Sequence, residues 1–181
     1  MRETQHRDAP RLETARLILR AHVVDDFEDV AAMWGDPEVV RHITGTPADR
    51  EASWARLLRY IGHWNALGFG YWAVERKEDG RYLGSVGFAD YQRSLEPAIE
   101  PVPEAGWGFV TDAQGQGFGI EAVQRMHDWA SCETNWSATV CIMAPDHDAS
   151  RRLAEKVGYR PHGQTTYKGD PTFVMWRDVN R

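Results

Sequence analysis

Cysteine is scarce in this chain. Only Cys132 and Cys141 occur in 181 residues, and they lie in no metal-binding or redox spacing, which excludes a disulfide-framed scaffold and a thiolate metal site. A bridge between the two has no support in their spacing, so reduced thiols in a cytoplasmic protein are the expectation. Excess positive charge is missing as well. Lys and Arg number 21 against 27 Asp and Glu, a formal net charge of -6, whereas nucleic-acid surfaces carry clustered basic residues. That balance suits a cationic partner such as an amine. No apolar run reaches the roughly 18 residues of a membrane span, and Met1 to His6 is charged and lacks the apolar core of a signal peptide. No membrane contact or export is expected. None of the seven histidines pairs at metal spacing, so no metal is expected. Repeats, linkers and low-complexity tracts are also lacking. With 42% hydrophobic residues, the length allows one sizeable core. The expectation is one domain over residues 12–181 behind a mobile polar tail, residues 1–11.

What the chain does have is a glycine cluster, Ala113-Gln114-Gly115-Gln116-Gly117-Phe118-Gly119-Ile120-Glu121. It runs into a segment where Ile120, Val123, Met126, His127 and Ala130 recur at helical spacing, and Gly106 to Val110 before it reads as a strand. Strand, glycine loop and helix together make an anion cradle, because uncovered backbone N–H groups gather at the positive end of a helix dipole. A Walker loop would need Gly-Lys-Ser/Thr, which is absent. A dinucleotide fingerprint starting at Gly115 would need glycine where Ile120 stands, and an acidic residue about 20 positions on, where Asn135 and Trp136 stand.

The spacing that fits is Gln-x-x-Gly-x-Gly at Gln114, Gly117 and Gly119. Here the chain resembles the GNAT superfamily of acyl-CoA-dependent N-acetyltransferases, whose loop of this form holds the coenzyme A pyrophosphate. Three more segments resemble its Rim-type branch, which acetylates protein N-termini and related substrates: Leu12 to Arg20, Asp36-Pro37-Glu38-Val39-Val40, and Pro145-Asp146-His147-Asp148-Ala149-Ser150 followed by Glu155-Lys156-Val157-Gly158-Tyr159. The resemblance runs from Leu12 to Arg177.

It implies an α/β fold with one mixed sheet of about six or seven strands flanked by helices. Acetyl-CoA would enter where strands Glu104–Val110 and Thr139–Met143 splay apart. Its implied contacts are Phe109, Val110, Gln114, Gly115, Gln116, Gly117, Phe118, Gly119, Ile120, His147 and Ser150. Arg125, Arg151 and Arg152 are candidates for the adenosine phosphates, with a solvated helix face as the alternative. The implied reaction is acetyl transfer to a primary amine, with a protein or peptide N-terminal α-amine favoured over a small-molecule amine such as an antibiotic or polyamine. Glu104 would take a proton from the amine, a backbone N–H near Val110 would polarise the carbonyl, and Ser150 would protonate the departing thiolate or cap its helix. Trp34, His42, Trp72, Phe88 and Tyr91 are assigned to the acceptor pocket. Two departures stand out: His147 replaces the family's common Asn, and Ala154 occupies the position of a tyrosine general acid. They keep open a catalytically idle acyl-CoA-binding module. Monomer and homodimer fit equally.

Element by element, Arg16 to His22 reads as the first strand, and Asp25 or Asp26 as the cap of a helix through Phe27, Val30, Ala31 and Trp34 that ends at Asp36-Pro37. A second helix opens near Pro47, carries Trp54, Leu57, Leu58, Ile61 and Trp64 on one face, and stops at Gly68. Strands Tyr71–Glu75 and Tyr82–Phe88 flank an Asp79-Gly80 turn. The proline-rich stretch 94–103 reads as an extended loop, and a short helix through Ala149 to Val157 precedes two terminal strands.

Overall fold

The computed structural model of the protein describes residues 8–179. Nine strands form one sheet in the order β1-β2-β3-β4-β6-β7-β9-β8-β5. They are β1 (Leu12–Glu13), β2 (Leu17–Arg20), β3 (Tyr71–Arg76), β4 (Tyr82–Ala89), β5 (Leu95–Glu96), β6 (Glu104–Phe109), β7 (Ala138–Met143), β8 (Arg160–Tyr167) and β9 (Asp170–Asp178). The mixed α/β sheet is the expected one, with more strands. The surplus comes from β1 and β5, two residues each, too short for any alternation to register. Leu95 and Glu96 pair with Tyr167 and Thr166 inside the proline-rich stretch.

Among the described residues five α-helices flank the sheet: α1 (Phe27–Gly35), α2 (Pro37–Val40), α3 (Arg50–Leu67), α4 (Phe118–Glu133) and α5 (Asp148–Lys156). Asp49 caps α3 by accepting from the Ala52 N–H at 2.8 Å, and Gly68 ends it in the left-handed region at φ 76°. Asp26 does not cap α1. Its carboxylate accepts instead from Arg20 and from the Val23 N–H, tying β2 to the turn before the helix. Asp36-Pro37 ends α1 and starts α2 at once, because Pro37 fits a first helical position and Asp36 accepts from the Glu38 N–H at 2.9 Å.

Helices α1 and α3 cover one face of the sheet, and α4 covers the other. Tyr82 and Ala73 pack with Val30, Met33 and Leu57, whereas Trp72, Val74 and Phe88 pack with α4 residues Val123 and Met126. On α3 the buried residues are Ser53, Leu57, Tyr60 and Trp64; Trp54 and Leu58 lie exposed beside that stripe. Of the polar tail, positions 1 to 7 lie outside the described residues. Ala9 packs against the core, and the Pro10 carbonyl accepts from Trp72 Nε1 at 2.8 Å, so this part of the segment is held.

One pair of neighbouring strands is parallel. β6 and β7 share a single ladder pair, Glu104 with Val140, whereas β4 and β6 pair along six positions. Beyond Glu104 the two strands part, and the sheet opens at the end where the glycine loop follows β6.

Candidate active site

The loop after β6 is built to leave its backbone uncovered. Gly115 and Gly117 adopt φ of +74° and +83°, conformations that cost an L side chain about 1–2 kcal/mol. Gly117 is the N-cap of α4 and supplies no capping side chain, so the first amides of that helix keep their donors for an anion. A Cβ added at Gly115 would meet nothing within 4 Å, so that side of the loop has room. Gln114 closes the loop by donating from Nε2 to the Phe109 carbonyl at 3.1 Å. Gly119 has a different reason for its missing side chain: a Cβ there would lie 2.9 Å from Leu153 Cδ1, so it lets α5 approach α4. Phe118 is buried and Ile120 is exposed, which takes Ile120 off the core face that its helical spacing suggested.

Sequence reasoning missed Arg16, which braces the loop from outside. Its guanidinium donates to the Gln116 carbonyl at 3.0 Å and to Glu121 at 2.7 Å, and lies 4.4 Å from the Phe118 ring centroid. Glu121 also accepts from Thr14 and from the Arg16 N–H. Burial works against the Glu121 charge, but these donors win and hold its carboxyl below the ordinary range. Partners a hundred or more residues apart leave no local signal.

A cleft runs from the strand opening across the face covered by α1 and α3. It gathers Trp34, His42, Tyr91, Glu104, His147 and Ser150. Trp72 and Phe88 do not reach it, being fully buried on the α4 side. The residue facing the cleft from β3 is Tyr71. Its hydroxyl bonds to Tyr91, its ring stacks on Tyr60 at 4.7 Å, and it fills the space that a side chain on Gly106 would claim. Strand β3 is buried on both faces, so its sequence shows no alternation by which Tyr71 could be told from Trp72.

Glu104 is held in a fork by Arg93, with Nε to Oε2 at 2.7 Å and the second nitrogen to Oε1 at 2.9 Å. Arg93 lies between the Tyr91 and Tyr167 rings. Burial opposes its charge, but the bonds and charge of Glu104 outweigh that and raise its pKa above the usual arginine value. Ser150 sits in the first turn of α5, whose N-cap is His147, so it is no cap. Trp107 Nε1 donates to Ser150 Oγ at 2.9 Å, leaving the serine proton to be given elsewhere. His147 stacks on His42 at 4.9 Å, and burial, then His42, lowers its pKa. The Val110 N–H is committed to the Leu83 carbonyl at 2.9 Å. Alternation along β6 therefore turns the backbone groups of Phe109, not Val110, toward the opening. Ala154 is fully buried and offers no acid. Among the described residues no three His, Cys, Asp or Glu side chains cluster to hold a metal.

Comparison with known proteins decides the family. The model of the acetyltransferase (GNAT) domain matches residues 16–160. The chain belongs to the GNAT acetyltransferases. As a GNAT acetyltransferase it is an acyltransferase whose donor is acetyl-CoA, and its open glycine loop with an uncapped helix N-terminus fits that donor's phosphates. Similar proteins include YkkB, an uncharacterized protein of Bacillus subtilis, 28% identical over 157 residues, covering 82% of this chain and 84% of YkkB. The uncharacterized N-acetyltransferase YoaA of the same organism is 26% identical over 158 residues, covering 85% of each. Among solved structures, a putative GnaT-family acetyltransferase from Bordetella pertussis superposes with a TM-score of 0.80 at 24% identity, over 93% of this chain and 99% of that one. RimL, a ribosomal-protein alpha-N-acetyltransferase in complex with coenzyme A, does so at 0.76 and 15% identity, over 94% and 99%. At these identities the likeness is one of GNAT fold. No helix among the described residues is long and apolar enough to cross a membrane.

Proposed function

We propose that this acetyltransferase acts on a primary amine, by preference the α-amine of a peptide or protein N-terminus, with Glu104 and Ser150 as its catalytic residues. The observation that carries the reading is that Glu104 and Ser150 line one cleft at the strand opening, one offering a carboxylate and the other a hydroxyl proton. The acceptor nitrogen bonds to the acyl carbon while the carbon–sulfur bond breaks. Glu104 takes the proton that the nitrogen sheds and releases it to solvent, while Ser150 donates to the departing sulfur and recovers its proton from solvent. Arg93 occupies one site on each Glu104 oxygen, and a carboxylate has about four acceptor sites, so the amine still has somewhere to bond. The Phe109 N–H, aimed at the opening, is the donor for the developing oxyanion.

Proton arithmetic favours the α-amine. With a pKa near 8 it is roughly a tenth or more neutral at physiological pH, whereas a lysine near 10.4 is neutral at about one part in a thousand. A single carboxylate base suits the former. The structural likeness to RimL supports the same acceptor class. A thiol-release assay with a free peptide and its N-terminally blocked, lysine-containing counterpart tests the reading. Release with the free peptide is expected; preferred turnover of the blocked one would overturn the acceptor, and coenzyme A binding without release for any amine would overturn amine acetylation.

A further inference from the structure

Arg56 is a cation in this cleft without a counter-charge. It projects from α3 and lines the cleft with Trp34, its guanidinium 3.7 Å from the Trp34 ring centroid. Among the described residues it forms no ion pair with a carboxylate. It hydrogen-bonds the Tyr60 hydroxyl. Its Nε, however, is buried with no partner among the described residues, and so is Trp34 Nε1. Two buried, unmatched donors on adjacent stacked groups are costly to fold unless something supplies an acceptor. A guanidinium over an indole face keeps its N–H groups for partners beyond the ring, and their fork matches a carboxylate.

The charges around Arg56 leave that fork unanswered. Glu104, the carboxylate lining the cleft, is already matched by Arg93, and Asp146 lies 3.4 Å from His42. Burial disfavours the charged form of His147. Arg59, one turn along α3, lies over Tyr91 but is exposed, and it adds to the positive side. The cleft is therefore net positive although the chain carries a formal charge of -6. An amine whose charges are all positive, such as a polyamine, meets repulsion here. An amine that also bears a carboxylate supplies nucleophile and counter-ion in one molecule.

We propose that Arg56, with Trp34 Nε1 beside it, is the carboxylate-recognition site of the acceptor cleft, and that the acceptor is a carboxylate-bearing primary amine: a free amino acid or the N-terminal end of an acidic peptide. This rests on the amine-acetylation reading above, and deepens it from any amine to an acidic one. Arg56 is a specificity residue and takes no part in proton transfer.

Two matched pairs test it. Alanine against alaninamide probes the free amino acid; alanyl-glutamyl-alaninamide against its glutaminyl counterpart probes the acidic peptide. Each is measured by thiol release and by calorimetry on the protein loaded with coenzyme A. The carboxylate member is expected to win by about tenfold or more in Kd, and in kcat/KM compared per neutral amine, in one pair, which identifies the source. Arg56→Gln should collapse that ratio, chiefly through KM, and Arg56→Lys, keeping charge without the fork, should restore part of it. Neutral members that match or beat the acidic ones in both pairs, read on the parent protein alone, would overturn the proposal, as would a preference undiminished in a folded Arg56→Gln variant. A calorimetric preference without turnover would support the Arg56 site and sink amine acetylation; turnover without preference would do the reverse.

Discussion

A serine hydroxyl has one proton to give, and its direction decides what it can do. Because Trp107 donates into Ser150 Oγ, the Ser150 proton points away from the indole and is free for the donation to sulfur proposed above. Ser150→Ala is therefore expected to lower kcat about tenfold, a modest loss since a thiolate with a pKa near 8.5 is already a fair leaving group. KM for acetyl-CoA should move less, and steady-state kinetics separates the two. Trp107→Phe, which removes the orienting donor and keeps the ring, should shift kcat the same way by a smaller factor. Equal loss in affinity alone would make Ser150 a binding contact. Glu104 answers to a different measurement. Glu104→Gln leaves Arg93 half-buried beside a neutral amide, and its rate deficit should shrink as pH rises and the amine deprotonates itself; a deficit flat with pH would take Glu104 out of the proton path. Both residues were legible in the sequence as candidates, because Glu104 opens the strand before the glycine loop and Ser150 closes the Pro145–Ser150 segment. Arg93 was not, since it lies in an irregular stretch and meets Glu104 only through tertiary folding, nor was Tyr71, hidden in a doubly buried strand whose apolar run carries no parity.

At the level of elements, the two glycines at the start of α4 separate binding from packing. Gly117 holds φ +83°, and its Cβ would face Arg16 at 3.4 Å. Gly117→Ala is expected to strain the loop by about 1–2 kcal/mol and to weaken coenzyme A binding by about tenfold in calorimetry. Gly119→Val instead drives a side chain into Leu153 of α5, an overpacking cost of about 1–3 kcal/mol. Its signature is a lowered denaturant midpoint. A Gly119 variant that binds weakly at undiminished stability would return that residue to the cradle. Elements with a full periodic stripe, α3 and α4, were readable, and so was the β3–β4 hairpin around Asp79-Gly80. The one-turn α2 and the two-residue strands were not, because pairing and capping across the fold define them rather than any run of residues. Asp26 misled for a related reason: an aspartate before a helix reads as a cap until an arginine from a neighbouring strand claims its carboxylate.

Two buried histidines set how the whole molecule responds to acid. His22 donates from Nδ1 to the Tyr71 carbonyl at 3.3 Å and bonds through Nε2 to the Ser85 hydroxyl at 3.0 Å, and burial pushes its pKa down to about 4. Among the described residues His127 has no hydrogen-bond partner on either ring nitrogen, and burial, with Arg177 adding to it, pushes its pKa down to about 3. Both are depressed below the ordinary 6.5, so the unfolded chain binds more protons than the folded one below that pH. Their contribution is fully present above pH 6.5 and is lost as pH falls toward 4 and 3. At about pH 5 the loss amounts to about 2 kcal/mol for each. Urea midpoints measured across this range should fall accordingly. His127→Leu should flatten the slope at little cost near neutrality, since the ring has no bond to lose; an unchanged slope would mean that His127 does not stay neutral in the fold.

The aromatic residues of the two faces also give the protein two separate optical reporters. Trp64, Trp72, Trp129 and Trp136 meet edge to face with ring centroids 4.6 to 6.1 Å apart, close enough for their excited states to couple. Trp34 and Trp107 stand apart, in the wall of the cleft. The near-ultraviolet dichroism of the first group depends on rigid packing and should vanish with tertiary structure. Emission from the second should respond to an acyl donor or an acidic amine while the fold stays unchanged. Replacing Trp34 and Trp107 by phenylalanine would silence the ligand signal and leave the folding signal, so unfolding and binding can be followed in one cuvette, at different wavelengths, without a label.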